Sequence, residues 1–157
     1  MRSILVKGLL IFVILLQGCA STQHSSLSPN NDTADALLNL HKEWKGTPYQ
    51  LGGNSKRGID CSGFTQKAYS RVFDIVLPRT TASQVNTGVS IPENTLKSGD
   101  LVFFKTGGNK QRHVGIYVQD GVFLHASTSK GVMLSELKNP YWKKHFWKAI
   151  RPEALAR

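Results

Sequence analysis

Four short runs in the second half of the chain are dense in β-branched and aromatic residues. They are LVFFK (101–105), HVGIYV (113–118), VFLHAS (122–127) and VMLSEL (132–137), with Gly or Asp-Gly between them. That punctuation predicts an antiparallel meander. Before Gly99 the period is helical. Leu37, Leu38, Leu40 and Trp44 form an apolar stripe behind a cap at Asp32 or Thr33, and Gly46 with Pro48 stops it. A Gly-rich loop, 47–59, follows. A second helix is predicted from Asp60 to about Phe73, with Phe64, Ala68, Val72 and Phe73 facing in. Pro78-Arg79-Thr80 opens a short third helix ending near Gly88. The tail YWKKHFWKAI (141–150) predicts a turn and an edge strand. Helices first and strands afterwards predict an α+β domain over 33–157, with N-terminal helices packed on a C-terminal antiparallel sheet of about five strands.

The first residues follow a different pattern. Arg2 and Lys7 precede and flank an unbroken apolar run, GLLIFVILL (8–16), which closes at Gln17-Gly18-Cys19. A basic start, a short apolar core and a small residue before the cut make residues 1–18 a secretory signal. The run is shorter than the roughly 20 apolar residues a membrane span needs. It resembles the bacterial lipoprotein signal, which implies lipid on Cys19 as the first mature residue. Ala20 beside it resembles the sorting pattern for the outer membrane. Residues 19–32 then read as the lipidated Cys and a polar, Ser/Asn-rich tether. The expected location is the periplasmic side of the outer membrane.

Composition sharpens this. The whole chain carries a formal charge of +10, and loss of residues 1–18 leaves about +8. Such a charge inside a cell would suggest nucleic acid; export argues against it. The fitting partners are anionic surfaces outside the cell, such as phospholipid heads, lipopolysaccharide or a carboxylate-rich wall. A merely soluble basic surface is the plainer alternative. Exported proteins form disulfides, yet the chain has two cysteines, Cys19 and Cys61. With lipid on Cys19, Cys61 has no partner and is either a small buried hydrophobe or a reactive thiol.

Its neighbours favour the thiol. Asp60 is a good N-cap, which places Cys61 at the first helical position, where free amides and the helix dipole are expected to lower a thiol pKa. Asp60 opposes this through its own charge. Those amides can also receive an oxyanion. The strands supply imidazoles. A two-residue turn at Asp120-Gly121 would pair Gln119 with Val122 and send His113 and His125 to opposite faces. A three-residue loop with Gly121 left-handed pairs Val118 with Val122 instead. One face then reads His113, Gly115, Tyr117, Phe123, His125, Ser127, and the other is wholly apolar. That segregation selects the second register. The two imidazoles become diagonal neighbours, aimed at the helices that carry the thiol, with Gly115 leaving room. A thiol, a base and a group to orient the base complete a nucleophilic set.

These residues resemble the NlpC family of papain-like cell-wall cysteine peptidases. The resemblance runs through GTPYQLGG (46–53), DCSG (60–63), LPRTTASQ (77–84), LKSGDLVFFK (96–105), HVGIYV (113–118) and HASTSKGVM (125–133). It implies a papain-like fold, with Cys61 as nucleophile, His113 as base and His125 as the orienting residue. It implies a tyrosine beside the nucleophile at Tyr49, groups near the bound peptide at Asp60 and Ser62, and a cleft-lining position at Arg79. It also implies peptidoglycan stem peptides as substrate, no cofactor and no metal. The remaining expectations are a membrane partner through the lipid on Cys19, no nucleic acid, and a monomer. Two other readings use the same residues. One is a zinc site of Cys61, His113 and His125; the other is a non-catalytic or acyl-transferring lipoprotein that binds wall or lipid. The bond cut, D-glutamyl–diaminopimelate or a cross-link, is left open.

Overall fold

The computed structural model describes residues 29–107 and 111–156. The expected signal, Cys19 and its lipid all lie outside the described residues. Helix α1 (Pro29–Trp44) opens the fold. It therefore includes residues 29–32, which the sequence pattern assigned to the tether. Ala34, Leu37 and Leu40 bury its inner stripe, with Leu38 and Trp44 packed beside them. A two-stranded ribbon, β1 (Asn54–Ser55) with β2 (Gly58–Ile59), lies within the Gly-rich loop. Helix α2 (Cys61–Phe73) follows directly. Its inner face is Phe64, Ala68 and Tyr69, all fully buried. The Tyr69 hydroxyl donates to the Gly99 carbonyl, which satisfies the polar end of an otherwise apolar ring. Helix α3 (Thr81–Gln84) is a single turn capped by the Thr80 side chain, shorter than the expected run to Gly88.

Among the described residues the expected antiparallel sheet has six strands: β3 (Gly88–Ile91), β4 (Leu101–Gly107), β5 (Gln111–Gln119), β6 (Val122–Ser127), β7 (Gly131–Glu136) and β8 (Phe146–Pro152). Their order is β3-β8-β4-β5-β6-β7. A short helix, α4 (Pro140–His145), begins with Pro140 behind an Asn139 cap and leads into β8. Strand β8 is not the expected edge. It lies between β3 and β4 and pairs with both. The short β3 takes the edge, with Val89 and Ser90 exposed.

Alternation along the strands divides the interior in two. Leu101, Phe103, Val114, Ile116, Leu124 and Ile150 face the helices and join their core. Val102, Phe104, Phe123 and Ala149 face the other way, into a smaller cluster with Trp142 and Phe146. Among the described residues no helix is long and apolar enough to cross a membrane.

Candidate active site

The β5–β6 hairpin decides where the imidazoles point. Tyr117 pairs with Phe123 and Ile116 with Leu124, the expected register, but at the tip Gln119 pairs with Val122. The turn is thus the two-residue one, with Asp120 at φ 51° and Gly121 at φ 75°. Both angles are positive, as a type I′ turn requires. A bulge at Val118 restores the parity that this turn would otherwise invert. The expected register holds, through a bulge in the strand and not through a three-residue loop.

His113 and His125 therefore share a face, and Nε2 of His113 lies 2.8 Å from Nδ1 of His125. Gly115 makes the approach possible: a Cβ there would stand 2.6 Å from Phe123 and 3.2 Å from the Cβ of His125. The shared face is the one opposite the helices, which corrects the expectation that both rings aim at the helical layer. The helices need the continuous apolar face of Val114, Ile116, Leu124 and Ala126, so the polar pair takes the reverse side. Trp142 of α4 covers the pair there. Its ring stacks on His113 at 5.3 Å and meets His125 edge-on at 4.9 Å. Nε2 of His125 lies 2.9 Å from the Ser135 hydroxyl.

Cys61 belongs to the core cluster on the helical side, together with Val114, the residue after His113. Its sulfur shares a hydrogen bond with the Thr81 hydroxyl at 3.7 Å, and the Val114 and Ser62 amides favour its charged form. His113 commits Nε2 to His125, so Nδ1 is the ring nitrogen left for a thiol proton.

The start of α2 is fixed by an interlocked polar cluster. Asp60 accepts from the Gly63 amide at 2.7 Å and the Gly52 amide at 2.8 Å. The two terminal nitrogens of Arg79 donate to its two oxygens, each at 2.8 Å. Arg79 also donates to the Ser62 hydroxyl and the Gly53 carbonyl. Gly63 has to be small here, because a Cβ would stand 2.7 Å from Gly53 O and 3.3 Å from the guanidinium carbon. Gln84, fully buried, donates to the carbonyls of Ser62 and Pro78 and accepts from Thr65. It ties the α2 start to the segment that carries Arg79.

The electrostatics differ from the expectation at the thiol. Burial pushes the Cys61 pKa up, and the charge of Asp60 adds to this. The Thr81, Val114 and Ser62 hydrogen bonds only partly offset the rise. The expected helix-terminus lowering does not win, since a cysteine only 5% exposed loses most of its hydration. Burial likewise lowers His113 to about 4, and burial with the neighbouring His113 lowers His125 well below its ordinary value. The resting site is a neutral thiol with neutral imidazoles. Burial raises Asp60, but the Arg79 hydrogen bonds and the Gly63 and Gly52 amides outweigh it and leave the carboxyl below its usual value. Burial raises the Tyr49 phenol, and the Cys61 and Asp60 charges add to the rise. Tyr49 thus stands within electrostatic reach of the sulfur, half-buried, bridged to Ile59.

All seven described site residues fall in these two adjoining groups: Tyr49, Asp60, Cys61, Ser62 and Arg79 around the α2 start, and His113 with His125 on the sheet. Asp60, Ser62 and Arg79 bond one another. The sequence pattern missed Thr81, Gln84, Trp142 and Ser135. Thr81 and Gln84 lay inside the LPRTTASQ motif without an assigned role, and strand alternation puts Ser135 on the His125 face of β7. For the zinc alternative, no three His, Cys, Asp or Glu side chains among the described residues are grouped so that they could hold a metal ion. A cavity of about 300 Å³ opens beside the imidazoles, lined by Ser127, Thr128, Ser129, Lys130 and Tyr141 among others.

Residues 46–151 match the NlpC/P60 family. The "Probable endopeptidase NlpC" of Escherichia coli (strain K12) is 47% identical over 150 residues, covering 91% of this chain and 96% of that one. The "Murein DD-endopeptidase MepS/Murein LD-carboxypeptidase" of the same strain is 43% identical over 129 residues, 82% of this chain and 68% of that one. Among solved structures, a lipoprotein-like NLP/P60 family protein from Staphylococcus aureus superposes with a TM-score of 0.69 at 30% identity. That match covers 83% of this chain and 45% of the other. The solved papain-like relatives share the arrangement of few helices on an antiparallel sheet. With most of its described length matched, the chain belongs to the NlpC/P60 family.

Proposed function

We propose that this protein is a cell-wall endopeptidase that hydrolyses an amide bond in peptidoglycan stem or cross-link peptides through Cys61, His113 and His125. The observation that carries this reading is the buried thiol at the α2 start, packed in one core with Val114, whose neighbour His113 is held at 2.8 Å by a second imidazole. Relatives named as murein or peptidoglycan endopeptidases supply the substrate class.

In this mechanism His113 Nδ1 takes the Cys61 proton as the sulfur attacks the carbonyl carbon. The imidazolium so formed keeps its Nε2–H on His125. The Cys61 amide, which Asp60 does not cap, and the Tyr49 hydroxyl receive the oxyanion. His113 then gives its proton to the departing amine, leaving a thioester, and water cleaves that with His113 again as base. Because both partners rest neutral, proton transfer accompanies attack instead of preceding it. Asp60, Ser62 and Arg79 hold the nucleophile's helix start. Arg79, its side chain 36% exposed, is the member of that cluster able to face the peptide. The chemistry needs no cofactor.

Iodoacetamide should abolish release of peptides from purified wall, and chelators should leave it intact. The opposite pattern would favour a metal enzyme. We also propose that residues 1–18 are removed and that Cys19 carries lipid, holding the domain on the periplasmic side of the outer membrane. Labelled palmitate should then mark the wild type and not Cys19→Ala; equal labelling would contradict the anchor.

A further inference from the structure

We propose that Ser135 is a positioning residue for the reaction: its hydroxyl accepts the Nε2–H of His125 and so fixes the tautomer that orients His113. The inference rests on the thiol mechanism proposed above. Three side chains cross the sheet in one diagonal row. His125 stands opposite Met133 on β7, and Ser135 stands opposite Phe123, so Ser135 is diagonal to His125 across β6–β7. His113 is diagonal to His125 in the same sense across β5–β6. The row gives two hydrogen bonds in series, His113 Nε2 to His125 Nδ1 at 2.8 Å and His125 Nε2 to Ser135 Oγ at 2.9 Å.

Proton counting makes the second bond matter to the first. If His113 is to receive a proton at Nδ1, its Nε2 must carry a hydrogen throughout and donate it to His125. His125 Nδ1 must then be the unprotonated nitrogen, so the single hydrogen of neutral His125 sits on Nε2. That hydrogen needs an acceptor in a fully buried place, where an unpaired donor is costly. The Ser135 hydroxyl oxygen is the acceptor. No proton moves along the row beyond His113. Without Ser135, His125 can move its hydrogen to Nδ1, where it competes with His113 for the same space and turns the base away from the thiol.

Side-chain nitrogen NMR of the wild type should show His125 with hydrogen on Nε2 and none on Nδ1. Ser135→Ala should give a mixture of the two tautomers and lower kcat about tenfold, the size of one ordinary hydrogen bond, with KM unchanged. Ser135→Thr should restore both. A wild-type His125 protonated on Nδ1 would overturn the proposal. So would a Ser135→Ala protein that loses activity with its tautomer unchanged, or one that keeps wild-type kcat. The wild-type spectrum decides even where Ser135→Ala does not fold. Because the tautomer is read without substrate, failure here is separable from failure of the hydrolase reading, which shows instead as Cys61→Ala retaining activity.

Discussion

At Asp60 one carboxylate accepts from Gly52, Gly63, Ser62 and both terminal nitrogens of Arg79. Removing Arg79 leaves a buried charge short of its strongest donors. Arg79→Ala should cost about 2 kcal/mol by thermal or urea unfolding, below the full value for a buried pair because the guanidinium is part-exposed. The pH dependence has a definite sign. A carboxyl lowered in the folded state stabilises above its unfolded value near 4, and that stability is lost as pH falls through the lower folded value. Arg79→Ala should therefore begin acid unfolding at a higher pH than the wild type; identical acid transitions would contradict the role. The neutral resting pair makes its own prediction. With His113 near 4 and Cys61 above its ordinary value, alkylation of Cys61 by iodoacetamide should be slow at pH 5–7. It should climb about tenfold per pH unit toward the alkaline range. A flat plateau from about pH 4 upward would instead show a thiolate–imidazolium pair.

Among the elements, the β5–β6 hairpin holds the site through a bulge and a glycine. Gly115→Ala must push Phe123 or His125 aside, so it should cost about 1–3 kcal/mol. It should also lower hydrolysis more than it lowers wall binding. Wild-type turnover in this variant would mean that the His113–His125 contact is not required. The hairpin also shows what a sequence can reveal. Alternation alone put His113 and His125 on one face, because a core-facing strand tolerates only one parity. The turn type was not legible, because Asp-Gly suits either loop and a bulge leaves no residue signature. Cys61, Asp60 and α2 were legible from one cap and one period. Strand β3 was not, since Gly88–Ile91 is four residues with a half-exposed pattern. The inner position of β8 was hidden too, because β3, its second neighbour, comes from before the meander. Trp142 had only a place in a predicted turn, and its packing onto the two imidazoles is visible in the structure alone. The thiol's raised pKa depends on burial by three elements, which no local motif reports.

Across the whole molecule, the sheet separates two tasks. One face holds the helices and their core; the other holds the polar row under α4. Cys61 lies in the helix-side core with Val114, the strand neighbour of His113, so the site depends on the packing of both layers. The basic tail is not needed for that packing at its charged positions. Lys143 and Lys144 are exposed, while Trp142 and Phe146 pack against the smaller core and Trp147 against the larger. Reversing both lysine charges should leave co-sedimentation with purified wall unchanged; a clear loss would make the tail a wall contact. The central claim is narrower than binding. It is tested most directly by incubating purified peptidoglycan with the wild type and with Cys61→Ala, and by mass spectrometry of the products. The wild type should release peptides bearing a new free amine at one defined bond, and Cys61→Ala should release none. Equal release by both, or none by either, would contradict it.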